Sequence, residues 1–446
     1  MLTKLTCVVL VLFPACADQL QNRPAVLELT LKQAVEIALA SEGSTRVQLA
    51  EEALKQAQTR EAQSRAALLP DIEGYLTEQN EVANLRTFGF QFPSIPNLGF
   101  QIPSVVGPFD VFDVRAQVNQ TVFDLSTIRR YQASKVSVEA AKQDNEGTRD
   151  QVTDQVARAY LNGLRAEAGF QTAKANVELS EALLRLAHSQ KNAGTGTGIE
   201  VTRAEVQLAN DRQRLLVAEN DVERSHLQLL KILGLRLDNP LRLADTLSYV
   251  PVDEVELTPA LETAFRTRAE LKAQQRKEQS ARLSYSATKL ERVPSLGAFG
   301  NYGTIGPSIN SAFPTRTYGV TLRVPVFDGG RRDARREESA SQYRQEKIRT
   351  TDLHDQIELD VRTALDSLRS SDAQVKAAEE GLKLSENELA QAQRRYKAGV
   401  TNSVEVTDAQ TRLDRARQNR IDALYNHNLA RIDLNTAMGT IQKMIQ

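Results

Sequence analysis

The chain has 446 residues, with 56 Lys and Arg against 57 Asp and Glu and a formal net charge of −1, which offers no bulk attraction to nucleic acid or to an anionic surface. With 22 Gly, 14 Pro, no Trp, 5% aromatic and 25% charged residues, it is poor in turns and rich in helix formers. Cys7 and Cys16 both lie near the N-terminus and His188, His226, His354 and His427 are scattered, so the body of the chain is expected to carry no disulfide, metal site, cofactor or catalytic group.

In chain order, Lys4, the apolar run Val8–Phe13 and Ala15-Cys16-Ala17 predict a signal peptide over residues 1–17. The alternative is acylation of Cys16, although Phe13-Pro14-Ala15 matches a lipobox poorly. No stretch approaches the roughly 18–20 apolar residues of a membrane-spanning helix. Helical sequence over Thr30–Leu68 leads to a strand after Pro70 (Ile72, Gly74, Leu76). The Phe/Pro/Gly-rich stretch Phe88–Pro108 has loop composition. Asp113–Val122 then alternates, with Val114, Ala116, Val118 and Val122 on one side and Asp113, Arg115, Gln117, Asn119 and Thr121 on the other. Asp124 is placed to cap a long helix over Ser126–Ala193. The run Gly194-Thr195-Gly196-Thr197-Gly198 joins that helix to the next and lacks the preceding strand and following Lys of a phosphate loop, so it reads as a hairpin tip.

The second half repeats the first. Gly194 and Glu200-Val201-Thr202 recur 205 residues on as Gly399 and Glu405-Val406-Thr407, and Val122-Phe123-Asp124 recurs as Val326-Phe327-Asp328. Residues 18–234 and 259–439 are therefore predicted to be two structural repeats, joined by a linker over 235–258 and followed by a short tail over 440–446. Helices over Gly198–Leu233, Pro259–Arg292, Gly330–Ala398 and Asn402–Ala437, and strands after Pro294 and over Tyr318–Val326, complete the second set.

Apolar and small residues run in steps of four and three along both long helices: Val152, Val156, Ala159 and Gly163, and 205 residues later Ile357, Val361, Ala364 and Leu368. In the return helices Val201, Leu208, Leu215, Val222 and Leu229 recur every seven residues, as do Ala409, Ala416, Ala423, Ala430 and Ala437. These are seams of extended antiparallel hairpins. Each long helix spans about 100 Å, the combined length of two half-length helices stacked end to end. The strands then fall at one end of a cylinder and both glycine tips at the other. The alternating segments suit either a half-buried sheet or a membrane barrel.

The duplicated plan, Pro325-Val326-Phe327-Asp328-Gly329-Gly330 and Tyr396-x-x-Gly399 leading to Val404-Glu405-Val406-Thr407-Asp408 together resemble the TolC-like outer-membrane efflux proteins over about Leu29–Gly439. The resemblance implies a mainly α fold with a β-barrel part. Three protomers would contribute four strands each to a twelve-stranded transmembrane barrel, and long hairpins would form a periplasmic α-barrel below it. It implies a homotrimer in the outer membrane of a Gram-negative bacterium, in contact with outer-membrane lipid and not with nucleic acid. Its role would be the exit duct of a tripartite efflux or type I secretion system, fed by a periplasmic adaptor and an inner-membrane pump or ABC exporter. The residues alone also fit a periplasmic coiled-coil adaptor or scaffold with a soluble sheet, and a helical hydrolase is disfavoured by the lack of Cys and clustered His.

In that family, acidic residues near the tips ring a constriction, which maps onto Glu200, Glu405 and Asp408 beyond Gly194 and Gly399. The family often carries arginine where this chain has Thr401. Arg203 occupies the first-repeat position equivalent to Asp408, and the expectation is that it supplies the missing positive charge by pairing with Asp408 or Glu405 between neighbouring hairpins.

Overall fold

Asp124 ends a strand and starts the first long helix, and the rest of the fold follows from where that helix runs. The computed structural model describes residues 26–89, 104–252 and 255–445. The signal segment with Cys16, and residues 90–103 of the Phe/Pro-rich stretch, lie outside them. The first set of elements is β1 (Leu27–Leu29), α1 (Leu31–Leu39), α2 (Thr45–Ala66), β2 (Asp71–Asn84), β3 (Val105–Phe123), α3 (Leu125–Asn192) and α4 (Gly198–Leu233). After β4 (Leu241–Leu243), the same order returns as α5 (Leu257–Thr267), α6 (Ala269–Leu290), β5 (Ser295–Gly306), β6 (Phe313–Arg323), α7 (Arg331–Lys397) and α8 (Ser403–Ala437), with a short α9 (Ile441–Ile445) at the end.

The long helices start and stop within a residue or two of the sequence expectation, because capping chemistry sits at their ends. Asp124 Oδ1 accepts from the backbone N–H groups of Ser126 at 2.9 Å and Thr127 at 3.3 Å. Asp328 acts from further away: α7 begins only at Arg331, after Gly330 in a left-handed conformation, and Asp328 Oδ2 accepts from Arg332 N–H at 3.1 Å. The half-length helices are broken where continuous stretches were expected. Residues 40–44 turn between α1 and α2, and Arg268 leaves helical geometry (φ −56°, ψ 117°) between α5 and α6. At the first break a Cβ on Gly43 would overlap the carbonyl oxygen of Ile37, so the turn requires glycine. β6 stops at Arg323, short of the expected Val326, because Pro325 has no N–H to give a ladder. β3 starts at Val105, eight residues before the alternation becomes regular. The linker is not structureless: β4 pairs in parallel with β1, Leu27 opposite Leu241 and Leu29 opposite Leu243.

α3 is the spine. Towards the sheet it packs on α2 and α6, and towards its far end on α4 and α8; α7 packs on α6 and then on α8. Half-length helices therefore stack along each long one. The largest core lies at the level where they meet, joining Val152, Val156 and Tyr160 of α3 to Leu229 and Leu233 of α4, Ile432 of α8 and Ile441 of α9. A second core joins Ile357, Val361 and Leu365 of α7 to Leu271 and Leu434. All five heptad alanines of α8 are buried, which lets α7 and α8 approach closely.

Polar groups pin this equator. The Tyr160 hydroxyl lies 2.9 Å from Leu29 O and 2.7 Å from Asp245 Oδ2, and burial pushes its pKa up. Asp150 of α3 accepts from Gln442 Nε2 of α9 at 2.7 Å, yet burial raises its pKa, an effect that the Gln442 hydrogen bond opposes and the charges of Glu146 and Glu270 reinforce. A carboxyl raised in the folded state stabilises the fold when protonated and loses that contribution as pH rises through the folded pKa. Asp150→Asn keeps an acceptor for Gln442 and removes the charge. It is expected to raise the thermal unfolding midpoint at about pH 7.5, and the gain should close as pH falls towards about 4. Parallel midpoints at both pH values would show that Asp150 has no such effect.

The sheet runs β2-β3-β5-β6, antiparallel throughout. One cross-strand row is Ile72, Val118, Gly300 and Tyr318, and the next is Glu73, Gln117, Asn301 and Thr317. The apolar rows stay uncovered in the protomer: Ile72, Leu76, Val320 and Leu322 are each about two-thirds exposed or more. β2 and β6 each have one unpaired backbone edge. Among the described residues no helix is long and apolar enough to cross a membrane.

Candidate functional site

The two glycine tips lie side by side at the end opposite the sheet. At the first, Gly194 takes φ +73° and Gln190 O accepts from both Thr195 and Gly196 N–H at 3.0 Å. At the second, Gly399 takes φ +71° and Val400 N–H reaches Arg395 O at 3.0 Å. A positive φ after the last helical residue is the geometry glycine supplies without strain. Gln190 Nε2 donates to Tyr396 O at 3.3 Å, and Leu183 and Leu186 of α3 pack on the cluster formed by Tyr396, Val406 and Leu413. The two hairpins are therefore locked together near their ends.

The return helices begin on carboxylates. Glu200 accepts from Thr197 N–H at 2.9 Å as half of a capping box. Glu405, its counterpart, accepts instead from the Thr401 hydroxyl and from Arg395 Nε at 3.1 Å. Within the protomer, then, the cation beside Glu405 is Arg395 of the opposite arm rather than Arg203. Arg203 and Asp408 are both exposed, and neither forms a salt bridge among the described residues of the chain. Glu200 and Arg203 line a cavity of about 30 Å³ between the hairpins, together with Tyr396, Ser403, Thr407 and Gln410. The Tyr396 hydroxyl is buried there without a hydrogen-bond partner, and burial, reinforced by the Glu200 charge, raises its pKa.

Farther up the bundle, about 20 Å from the first tip by helical rise, lies a polar cluster that the sequence reading missed. Asp211 of α4 is 2% exposed and accepts from the Ser180 hydroxyl and from Gln207 Nε2 at 3.1 Å. Gln410 Nε2 of α8 donates to Ser180 Oγ at 2.7 Å. A buried carboxylate needs this many donors, and the cluster ties α3, α4 and α8 into one body. Arg395 carries no sequence signal of its own: it precedes Gly399 on the far arm and meets Glu405 only through the packing of α7 on α8. No group of three or more metal-ligating side chains occurs among the described residues.

A family model described as "Outer membrane efflux protein" matches residues 36–235 and 260–440, one segment on each repeat. The chain belongs to that family. Outer membrane protein TolC of Vibrio cholerae is 24% identical over 296 residues, which is 65% of this chain and 67% of that one. The alkaline protease secretion protein AprF of Pseudomonas aeruginosa is 21% identical over 352 residues, 75% of this chain and 71% of its own. The sequence matches thus cover about two-thirds of these relatives' lengths. The fold agreement is broader: the outer membrane protein VceC of Vibrio cholerae superposes with a TM-score of 0.76 at 17% identity, over 92% of this chain and 96% of its own. An outer membrane efflux protein is a transport channel of the Gram-negative outer membrane, and the family is not an enzyme family. Membership sets aside the adaptor reading with its soluble sheet.

Proposed function

We propose that three copies of this outer membrane efflux protein close into one exit duct, which passes substrates delivered by a periplasmic adaptor and an inner-membrane efflux pump or ABC exporter. The observation that carries this reading is the four-stranded sheet with an uncovered apolar face and two free edges, β2 and β6. Unpaired backbone cannot face lipid, so the edges have to pair with other copies. β2 and β6 run in opposite directions, which suits antiparallel pairing of one chain's β6 with the next chain's β2. Three chains make twelve strands, wide enough for a lumen, whereas a dimer's eight would enclose only packed side chains. The helices support the same closure. α2 and α4 lie at one flank of the layer and α7 at the other, so α7 of each copy meets α2 and α4 of its neighbour.

In this reading residues 18–234 and 259–439 are the two repeats and residues 235–258 form an equatorial linker. The tips, with Gly194, Glu200, Arg203, Gly399, Thr401, Glu405 and Asp408, form the periplasmic end. Threefold symmetry brings nine carboxylates there. The test is the mass and symmetry of the detergent-purified protein. A trimer that migrates anomalously on a gel until heated supports the reading, and a folded monomer without detergent overturns it.

The stretch between β2 and β3 is assigned to the extracellular end, because β2 runs away from the helices and β3 returns to them. Since β3 begins at Val105, a loop deletion has to end before it. Removing residues 90–103 is expected to leave trimer yield within about twofold of wild type, as surface-loop changes generally do. Loss of the trimer on gels would place that stretch in the barrel's core instead.

A further inference from the structure

The lower rim of the sheet carries more positive charge than its own carboxylates neutralise. Three acidic residues there each serve two arginines. Glu291 pairs with Arg130 and with Arg335 at 2.7 Å. Asp333 pairs with Arg292 and lies 3.8 Å from Arg336. Asp328 lies 4.0 Å from Arg331 and 3.6 Å from Arg332. Six guanidinium groups against three carboxylates leave an excess of three positive charges per protomer. At the start of α3, Arg129, bonded to the neutral Gln132 Oε1 at 2.7 Å, is offset by the capping carboxylate of Asp124, so the excess stays at three. The whole chain has a net charge of −1, so the excess is a local concentration where α3 and α7 begin and α6 ends.

Next to this belt, at the ends of β3 and β6, apolar side chains stand free. Val326 and Phe327 are 91% and 87% exposed, and Val122 and Phe123 project in the equivalent place of the first repeat. A membrane barrel needs such a ring where the hydrocarbon stops, and the polar layer next to that level contains lipid phosphates. The carboxylates of Glu291 and Asp328 are largely buried (10% and 14% exposed), while their partners Arg130 and Arg331 are more than half exposed; Arg292 and its partner Asp333 are both about half exposed. The Arg130 and Arg331 guanidinium groups can therefore turn towards a phosphate while Glu291 and Asp328 stay in place below, and Arg292 is open to the same surface.

We propose that this arginine belt binds the phosphate groups of anionic phospholipids in the periplasmic leaflet, with their acyl chains against the Val326–Phe327 and Val122–Phe123 ring. Guanidinium matches phosphate oxygens in a two-pronged geometry, and each uncompensated cation near a membrane surface adds attraction for anionic lipid. Such lipids would hold the barrel at a set depth and complete the charge balance that the chain leaves open. The inference rests on the barrel lying in the outer membrane.

Native mass spectrometry of the detergent-purified full chain tests it, with phosphatidylglycerol and phosphatidylcholine titrated separately. Phosphatidylglycerol is expected to bind at least about tenfold more tightly, with the preference shrinking in about 0.5 M salt. The triple variant Arg129→Gln, Arg331→Gln, Arg336→Gln leaves Asp328 with Arg332 and Asp333 with Arg292, so the carboxylates keep partners and the fold is retained. In this variant the two lipids should bind within about twofold of each other. Equal binding of both lipids to wild type overturns the proposal, as does a full preference in the variant. Displacement of the bound lipid by inorganic phosphate also overturns it, by assigning the belt to free anions. Failure of the barrel reading itself would appear separately, as wild-type protein that forms no heat-modifiable trimer.

Discussion

Replacing Gly303 by alanine is expected to cut the yield of heat-modifiable oligomer at least about tenfold, while Gly300→Ala leaves it at the wild-type level. Gly303 lies in the middle of β5, paired with Arg115 of β3 and Thr315 of β6. A Cβ there would overlap Val114 O and the Arg115 backbone. Those atoms belong to the neighbouring strand and cannot swing aside as the end of a flexible side chain can, so β3 and β5 have to separate. Overpacking of this kind typically costs about 1–3 kcal/mol, or more when backbone has to move, and closure repeats the cost in every protomer. At Gly300 of the same strand a Cβ would meet Thr317 O and Tyr318 Cβ at 3.8 Å, an ordinary contact. The readout is the fraction of membrane-extracted protein that shifts on heating. Equal fractions for the two variants would mean that the β3–β5 pairing is dispensable for assembly.

The tip substitutions should act on conductance instead. In planar bilayers, Arg203→Ala and Asp408→Ala are each expected to raise single-channel conductance severalfold, and the double variant should add little to either. Arg203 and Asp408 are exposed and form no salt bridge among the described residues, whereas Glu405 already has Arg395 at 3.1 Å. In the proposed trimer, the pair left to form is Arg203 with Asp408 across neighbouring protomers. In that trimer, nine carboxylates gathered at a narrow end would repel one another. Each such pair is a solvent-facing contact that contributes about 1 kcal/mol or less, but threefold symmetry forms it three times. Salt should weaken the closed state as it screens the pairs. The charge-swapped variant Arg203→Asp, Asp408→Arg should return conductance towards wild type. Arg395→Ala tests the other contact: it frees Glu405 within one protomer and should open the tip less than the loss of Arg203. Unchanged conductance in Arg203→Ala and Asp408→Ala would leave both as surface residues and place the constriction elsewhere.

How much of this was legible in the residue order depends on the range over which each feature is decided. The repeat offset, the seams through Val152, Val156, Ile357 and Val361, and the alanines of α8 follow from which side chains share a helix face, a property of the local period. The tips at Gly194 and Gly399 and the cap at Asp124 follow from one residue's backbone freedom or one side chain's reach. The sheet's alternation placed Ile72, Val118 and Val320 on one face because a strand has period two. All of these were readable, and so was the family, through the duplicated plan, while the alternation by itself left a half-buried sheet and a membrane barrel both open. What was not readable depended on which distant surfaces meet. β1 pairs with β4 across more than two hundred residues. α5 and α6 separate at Arg268, where its guanidinium reaches Asp360 and Glu270, each at 2.8 Å. Asp211 looks like any charged residue between heptad positions, and its burial comes only from Ser180 and Gln410 arriving on other helices. Glu405 takes Arg395 rather than Arg203 because the rotation of α7 against α8 brings that guanidinium within reach. Periodicity specifies the face a helix buries. The azimuth and height at which two buried faces lock are set by side-chain packing across the interface, so the choice of ionic partners at the tip and the rim belonged to the tertiary structure.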